Sequence, residues 1–348
     1  MRIVIATVQV PFIRGGAEVH AKSLRTALRA AGHEAEIVQI PFKWYPPERI
    51  LDHMLACRLL DLTDMSGAPI DLLIGLKFPA YLIHHPNKVL WILHQHRQAY
   101  ELWNDPIGRD MILYPNGAEV RDAIMEADTK FIAEAKMVYT NSKNVSKRLM
   151  QFCGLNSSPL YHPPPCADRF VSGPFEDYFF FPSRLTTIKR QHLIVEALAK
   201  TRNPVRVVFA GLPDTLPYLN HLQSMTTQLG LQNRVEWLGG ITDDRKIQLY
   251  ANCLGVIYPP FDEDYGYVTL EAMLSSKPVI TCTDSGGTNE FVNAETGFSA
   301  EPDPVSLAQA LDTLWEDHQL AKKMGSRASE RYRAMNLNWT SVIHKLLR

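Results

Sequence analysis

The sequence predicts an α/β fold of two doubly wound, Rossmann-like domains, each a parallel sheet covered by helices on both faces. Three observations predict it. The chain has 348 residues, too many for one ordinary α/β domain and about right for two of roughly 150 each. Short apolar runs alternate with longer stretches of helical period, the pattern of strands buried on both faces and the helices that cover them. A proline run, Pro163-Pro164-Pro165, followed by Gly173-Pro174, makes the one strong composition shift in mid-chain and reads as an interdomain linker.

In the first half the expected strands are Ile3–Thr7, Ala35–Ile40, Leu72–Gly75, Val89–Leu93 and Met137–Thr140. Between the first two, Ala17–Ala31 sets Val19, Leu24, Ala27 and Leu28 along an apolar stripe, and Gly32 stands where a left-handed C-cap is wanted. Pro41–Pro47 and Arg97–Gly117 read as loops or short irregular helices above the sheet. After the linker the alternation restarts. Strands are expected near Tyr178–Phe181, Val205–Ala210, Val235–Leu238, Leu254–Tyr258 and Val279–Thr281. Helices are expected near Lys189–Lys200, Pro217–Leu229, Asp243–Ala251, Val268–Ser275 and Pro304–Asp317. In such folds ligands sit outside the carboxyl ends of the strands, so chemistry should cluster just after them.

Composition narrows the function classes. With 46% hydrophobic and 21% charged residues the chain can bury a sizeable core, which excludes a disordered or fibrous protein. Lys and Arg number 36 against 37 Asp and Glu, so no global field draws it to nucleic acid. Five scattered cysteines with no C-x-x-C argue against a disulfide framework or a zinc site and fit a reducing cytoplasm. Neither a signal peptide nor an apolar run of about 20 residues is present. A cytoplasmic location is therefore expected, and the N-x-S/T triplets at Asn144, Asn156 and Asn338 read as chance.

Several segments after strands can carry chemistry. Gly15-Gly16 opens the first helix and offers backbone amides to an anion such as a diphosphate, with a plain βα turn as the alternative. Arg184 and Lys189, in Ser183-Arg184-Leu185-Thr186-Thr187-Ile188-Lys189, put two cations at the end of a strand; two solvated cations at a helix start would be slightly disfavoured by the helix dipole, which tilts the reading toward an anionic ligand. Glu263 and Glu271 flank a turn at Gly266 that enters a helix, suiting hydroxyls and phosphate oxygens, against a solvated acidic loop as the alternative. Asp262-x-Asp264 resembles a metal-binding pair, but with Arg184 and Lys189 available to neutralise a diphosphate no metal is expected there. His94 and His96 follow a strand without a third ligand of suitable spacing, so His94 reads as a hydrogen-bond donor to a sugar or phosphate rather than a metal ligand. His20 and His162 read as structural.

These pieces, in order and spacing, resemble glycosyltransferase family 4, the group 1 retaining glycosyltransferases of GT-B fold, over essentially the whole chain. The resemblance is carried by Gly15-Gly16-Ala17-Glu18-x-His20, Gly32-His33-Glu34, Asn141-Ser142, Arg184-Leu185-x3-Lys189 and Leu238-Gly239-Gly240. It is carried further by the E-x7-E from Glu263 to Glu271, Pro278-Val279-Ile280 and Gly286-Gly287-x2-Glu290. It implies two domains facing a central cleft: residues 1–170 on the acceptor side, 171–335 on the donor side, and a helix in 336–348 crossing back to the first. It also implies that Gly15 and Gly16 face a donor diphosphate clamped by Arg184 and Lys189. Glu271 would hold ribose hydroxyls and Glu263 the donor sugar, with amides at Gly266, Tyr267 and Val268 on sugar and phosphate. His94 would reach the sugar from the first domain, and the base would lie near Gly211, Leu238 and Gly239.

The implied activity is metal-independent, cofactor-free transfer of a hexose, with retention, from a UDP- or GDP-sugar to a glycan or lipid-linked acceptor in cell-envelope or exopolysaccharide synthesis. Peripheral contact with the cytoplasmic face of the inner membrane would go with it, for which Lys22, Arg25 and Arg29 supply a basic helix face. A transferase using a small soluble acceptor, or a nucleotide-sugar binder without turnover, are the alternatives. The sequence departs from the family at Ser183, where Gly is usual before the Arg, and at Ala210-Gly211-Leu212-Pro213, which lacks a second Gly. It departs again at Pro164-Pro165-Cys166-Ala167 and at Ser275-Ser276-Lys277.

Overall fold

The computed structural model describes residues 1–12, 15–108 and 110–348. It divides into two compact units, Met1–Pro165 with Asn338–Arg348, and Cys166–Leu337.

The first unit begins with β1 (Arg2–Gln9), α1 (Gly16–Ala30), β2 (Glu34–Pro41) and α2 (Glu48–Leu59). A small antiparallel hairpin of β3 (Asp64–Met65) and β4 (Ala68–Pro69) follows, then β5 (Leu72–Gly75), β6 (Lys88–Ile92), α3 (Gly117–Ile132), β7 (Met137–Thr140), α4 (Lys143–Cys153) and β8 (Ser158–Pro159). Six strands form a parallel sheet in the order β2-β1-β5-β6-β7-β8. The central strands β5 and β6 are wholly buried, which is why, apart from Lys88 at the start of β6, they read as apolar runs. One sheet face packs on α2, α3 and α4 through residues such as Ile50, Ile124 and Leu149. The other packs on α1 through Leu24 and Leu28, and Gly32 at φ +85° takes the left-handed step that ends that helix. The segment Arg97–Gly117 holds two short 3-10 turns, Arg97–Ala99 and Met111–Leu113; Arg109 within it lies outside the described residues.

The second unit runs β9 (Phe179–Pro182), a 3-10 turn (Thr187–Lys189), α5 (Gln191–Leu198), β10 (Val207–Ala210), α6 (Leu216–Gln228), β11 (Val235–Trp237) and α7 (Asp243–Asn252). It continues with β12 (Gly255–Ile257), α8 (Tyr267–Leu274), β13 (Val279–Cys282), β14 (Gly297–Ala300), α9 (Pro304–Glu316) and α10 (His318–Met335). Its parallel sheet has the order β11-β10-β9-β12-β13-β14, with Phe179, Phe180 and Phe181 at its centre. The chain then returns to the first unit. Asn338 caps α11 (Trp339–Leu346) by accepting from the Ser341 amide at 2.8 Å, and Val342, Ile343 and Leu346 join the α1 side of that core.

One expectation about local structure changes. Lys189–Lys200 is not one helix: Arg190 is left-handed at φ +59°, so Lys189 ends a 3-10 turn and α5 starts only at Gln191. Arg190 is held there by a two-pronged pair, its guanidinium donating to Asp284 at 2.7 and 2.6 Å. The departure at Ser275-Ser276-Lys277 also has a physical account. Ser276 adopts φ +54°, the conformation glycine favours. Lys277 is buried and donates to the Gly173 and Pro174 carbonyls at 3.4 and 3.2 Å, with its ammonium 3.4 Å from the centre of the Phe175 ring. Burial lowers its pKa to about 8, and the side chain ties α8 to the segment that enters the second unit.

Candidate functional site

The loops that leave the carboxyl ends of β9, β12 and β13 are laced to one another by backbone bonds. Phe261 donates to Ile188 at 2.8 Å, Asp262 to Asp284 at 2.9 Å, and Gly287 to Glu263 at 2.7 Å. Gly287 permits the last approach, since a Cβ there would lie 2.6 Å from the Asp264 carbonyl. On the neighbouring side Gly211, at φ +154°, donates to Gly239 at 2.7 Å and lies so close to β9 that a Cβ would meet the Ser183 carbonyl at 1.9 Å. A side chain at 211 is therefore excluded both by conformation and by space. The result is a fixed rim, and the charged residues of the second unit project from it.

At the rim Lys189 and Glu263, 74 residues apart, form a half-buried ion pair. Tyr258, at the end of β12, completes it: the Lys189 ammonium donates to its hydroxyl at 2.8 Å, and that hydroxyl donates to Glu263 at 3.0 Å. Burial, and then the Glu263 charge, hold the Tyr258 hydroxyl well above the usual phenol range, so it stays a donor. Arg184 is exposed and has a different partner, Asp214, at 2.6 Å. Gly266 is left-handed at φ +82° and caps α8, with Tyr267 and Val268 in the first turn behind it. Leu238 is bonded to Phe209, and Gly239 is left-handed at φ +63°.

Glu271 is one turn further along α8, buried, and already bonded twice: the Lys246 ammonium donates at 2.9 Å and the Tyr250 hydroxyl at 2.8 Å. Burial works against the Lys246 charge, yet the Glu271 carboxylate outweighs it and raises the lysine pKa. Glu263 and Glu271 thus lie at the two ends of one turn-helix unit with separate partner sets. Sequence reasoning missed Tyr258, Lys246 and Tyr250. The signal available was the i, i+4 spacing of Lys246 and Tyr250 on α7, which places both on one helix face. Asp262 is left-handed at φ +43°, and among the described residues no group of three or more His, Cys, Asp or Glu is placed to hold a metal ion.

In the first unit, Gly15 is extended at the mouth of α1, but its amide is not bare: it donates to the Glu18 carboxylate at 2.7 Å. His94 follows β6 and is half-buried, with Nδ1 2.6 Å from the Gln95 carbonyl. Gln95 in turn donates to Asp128 at 3.0 Å, and Tyr81 and Tyr100 donate to the same carboxylate at 2.9 and 2.7 Å. Asp128 is fully buried, and burial raises its pKa to about 6. This network, also missed from sequence, anchors the segment on which His94 sits. His20 and His162 are buried, 2.9 Å apart between ring nitrogens, and packed edge-on to Trp91.

A family model described as "Glycosyl transferases group 1" matches residues 168–331, nearly the whole second unit. Among curated relatives, the mouse protein Alpha-1,3/1,6-mannosyltransferase ALG2 is 33% identical over 173 residues, 45% of this chain and 42% of its own length. D-rhamnosyltransferase WbpZ of Pseudomonas aeruginosa is 32% identical over 162 residues, covering 45% and 41%. The chain thus spans about two fifths of the length of these relatives. O-antigen chain mannosyltransferase C of Escherichia coli is 25% identical over 219 residues, covering 62% and 56%. Solved structures match in fold along the full chain. Sucrose-phosphate synthase from Thermosynechococcus elongatus has a TM-score of 0.80 at 16% identity, covering 99% of this chain and 97% of that one. Anabaena HepE, solved in complex with UDP and glucose, has a TM-score of 0.70 at 20% identity, covering 100% and 98%. The two parallel-sheet units have the fold of a GT-B protein, and it is residues 168–331 that resemble the glycosyl transferases group 1 family.

Proposed function

We propose that the protein is a retaining hexosyltransferase that takes a sugar from a UDP- or GDP-sugar and passes it, without a metal ion, to a hydroxyl of a glycan or lipid-linked acceptor. The observation that carries this reading is the Lys189–Tyr258–Glu263 cluster at the carboxyl ends of the adjacent strands β9 and β12. In the free protein the lysine charge is balanced by Glu263. An arriving diphosphate replaces Glu263 as the partner of Lys189, and the freed carboxylate accepts hydroxyls of the donor sugar. Arg184, on an exposed pair, adds a forked cation that can exchange Asp214 for phosphate oxygens at little cost. Glu271 accepts the ribose hydroxyls, with Lys246 and Tyr250 fixing its rotamer. The base lies against Gly211, Leu238 and Gly239, and the amides at Gly266, Tyr267 and Val268 serve phosphate and sugar.

As the glycosidic bond breaks, charge builds on the leaving phosphate and is met by cations already in place, the kind of stabilisation worth about 3–4 kcal/mol per donor. The acceptor hydroxyl attacks from the face the diphosphate leaves, and a phosphate oxygen takes its proton. No protein nucleophile is assigned, and trapping a glycosyl-enzyme adduct would overturn this route. Among the described residues no helix is long and apolar enough to cross a membrane. Peripheral contact with the inner membrane on its cytoplasmic side belongs to the reading with a lipid-linked acceptor, although Arg29 of the basic helix face is engaged by Glu36.

Calorimetric titration of UDP and GDP against the wild type and Glu271→Ala, with and without chelator, tests the site. One nucleotide should bind, keep its affinity in chelator and weaken at least tenfold in the variant. Binding of neither, or loss of binding in chelator, refutes the assignment.

A further inference from the structure

The two helices that build the Glu271 site end on one short stretch of chain. α7 supplies Lys246 and Tyr250, and α8 supplies Glu271 itself. At the end of α7 the Ala251 and Asn252 carbonyls accept the Gly173 and Glu176 amides at 2.9 and 2.7 Å. Gly173 fits there because it has no side chain: a Cβ would lie 2.7 Å from Asn252 Oδ1 and 2.9 Å from the Ala251 carbonyl. At the end of α8 the Ser275 amide donates to the Glu271 carbonyl at 3.1 Å and the Lys277 amide to the Ala272 carbonyl at 2.9 Å, with left-handed Ser276 between them. The Lys277 ammonium then reaches back over the Phe175 ring to the Gly173 and Pro174 carbonyls.

We propose that Lys277 is a positioning residue for nucleotide binding: by clamping Gly173 and Pro174 it fixes the segment on which α7 and α8 both end, and so holds Lys246 and Tyr250 in register with Glu271. The inference rests on the reading of Glu271 as the partner of the ribose. Each helix has only about two to three turns, and its internal hydrogen bonds make so short a helix move as one piece. A shift at the far end is therefore felt at Lys246, Tyr250 and Glu271. An apolar side chain at 277 would pack on Phe175 without the cost of burying an ammonium. Lysine adds what such a residue lacks, charge-assisted bonds to two carbonyls of the entering segment. The clamp also responds to pH. Burial lowers the Lys277 pKa to about 8; Cys253 at the end of α7 and Glu176 on the entering segment favour the charge, and Lys322 of α10 opposes it. Below that value the ammonium is charged and grips both carbonyls, and above it the charge assistance is lost.

The test titrates UDP and GDP into the wild type, Lys277→Met and, as control, Lys322→Met, whose exposed lysine lies 6.0 Å from the same ring, at pH 7 and pH 9. At pH 7 the nucleotide that binds the wild type should bind Lys277→Met about fivefold or more weakly, a coupling of ordinary size, and Lys322→Met as it binds the wild type. At pH 9 the wild type should fall toward Lys277→Met, so that the ratio of the two affinities approaches one. In the wild type alone, saturating nucleotide should slow hydrogen exchange of the Gly173 and Glu176 amides, a reading that stands even where Lys277→Met does not fold. Equal affinity of wild type and Lys277→Met at pH 7, a ratio that does not move with pH, or exchange at Gly173 and Glu176 indifferent to nucleotide overturns the proposal. Binding of neither nucleotide to the wild type overturns the donor reading and this inference with it, whereas a nucleotide that binds without regard to Lys277 overturns the inference alone.

Discussion

Lys189, Tyr258 and Glu263 come from three loops or strand ends, and only the fold makes them neighbours. Replacing Lys189 with Ala removes the cation nearest the proposed leaving group and leaves Glu263 bonded to Tyr258. Steady-state assays with the nucleotide-sugar identified by titration should show kcat reduced roughly 10²- to 10³-fold, with a thermal midpoint within a few degrees of the wild type. A change in KM with kcat intact would reassign Lys189 to ground-state binding. At this scale the sequence was legible where a motif bundles residues along the chain, as with Glu263, Gly266 and Glu271. It was silent where burial decides the role. Asp128 reads as one more carboxylate on a helix until Tyr81, 47 residues away, donates to it. Lys277 reads as a solvated charge until Gly173 and Pro174 close over it.

Elements were legible in proportion to their apolar content. β5, β9 and, after Lys88, β6 are buried and announce themselves as apolar runs. β14 is a partly exposed edge strand of sequence Gly-Phe-Ser-Ala and gives no such signal. α10 hides for another reason. Besides Met324 and Tyr332 it buries Ala321, Gly325, Ala328 and Ser329, small residues that allow a backbone to approach closely and dilute the apolar stripe; a Cβ on Gly325 would strike the Ser276 carbonyl at 1.9 Å. α11 carries its own consequence for stability, since it seats Trp339 beside the buried His20–His162 pair. Burial lowers the His20 pKa to about 3, and burial, then the neighbouring His20, hold His162 well below the usual imidazole range. A depressed native pKa contributes stability that is present above about pH 6.5 and is lost as the pH falls toward the native value. Calorimetry from pH 7.5 to pH 4 should therefore show the first unit losing stability, and His20→Phe should flatten that slope. An unchanged slope would mean the pair is not what titrates.

For the whole molecule, the three hydrophobic clusters each lie within one unit: one in the second, two on opposite faces of the first unit's sheet. The residues proposed to hold base and ribose, Gly211, Leu238, Gly239 and Glu271, all belong to the second unit. Scanning calorimetry should resolve two transitions, and nucleotide at about 100 times its Kd should raise only one, by roughly 5–10 °C, from the ~2.7 kcal/mol such saturation adds. Equal movement of both would show that the units unfold together. The two-domain plan was the most legible feature of all, because alternation of strand and helix survives any uncertainty about where one element stops.

The chain leaves the first unit at Pro165 and re-enters it at Asn338, so part of the first core is made only after the second unit. A ribosome proceeding at about 5–20 residues per second lays down the whole second unit before Trp339, Val342, Ile343 and Leu346 emerge to cover the α1 side of the first sheet. During that interval the nascent first unit presents Leu24, Leu28 and Trp91 to whatever is near. The order of synthesis thus leaves Trp91 without its edge-on neighbour Trp339 until the second unit is complete.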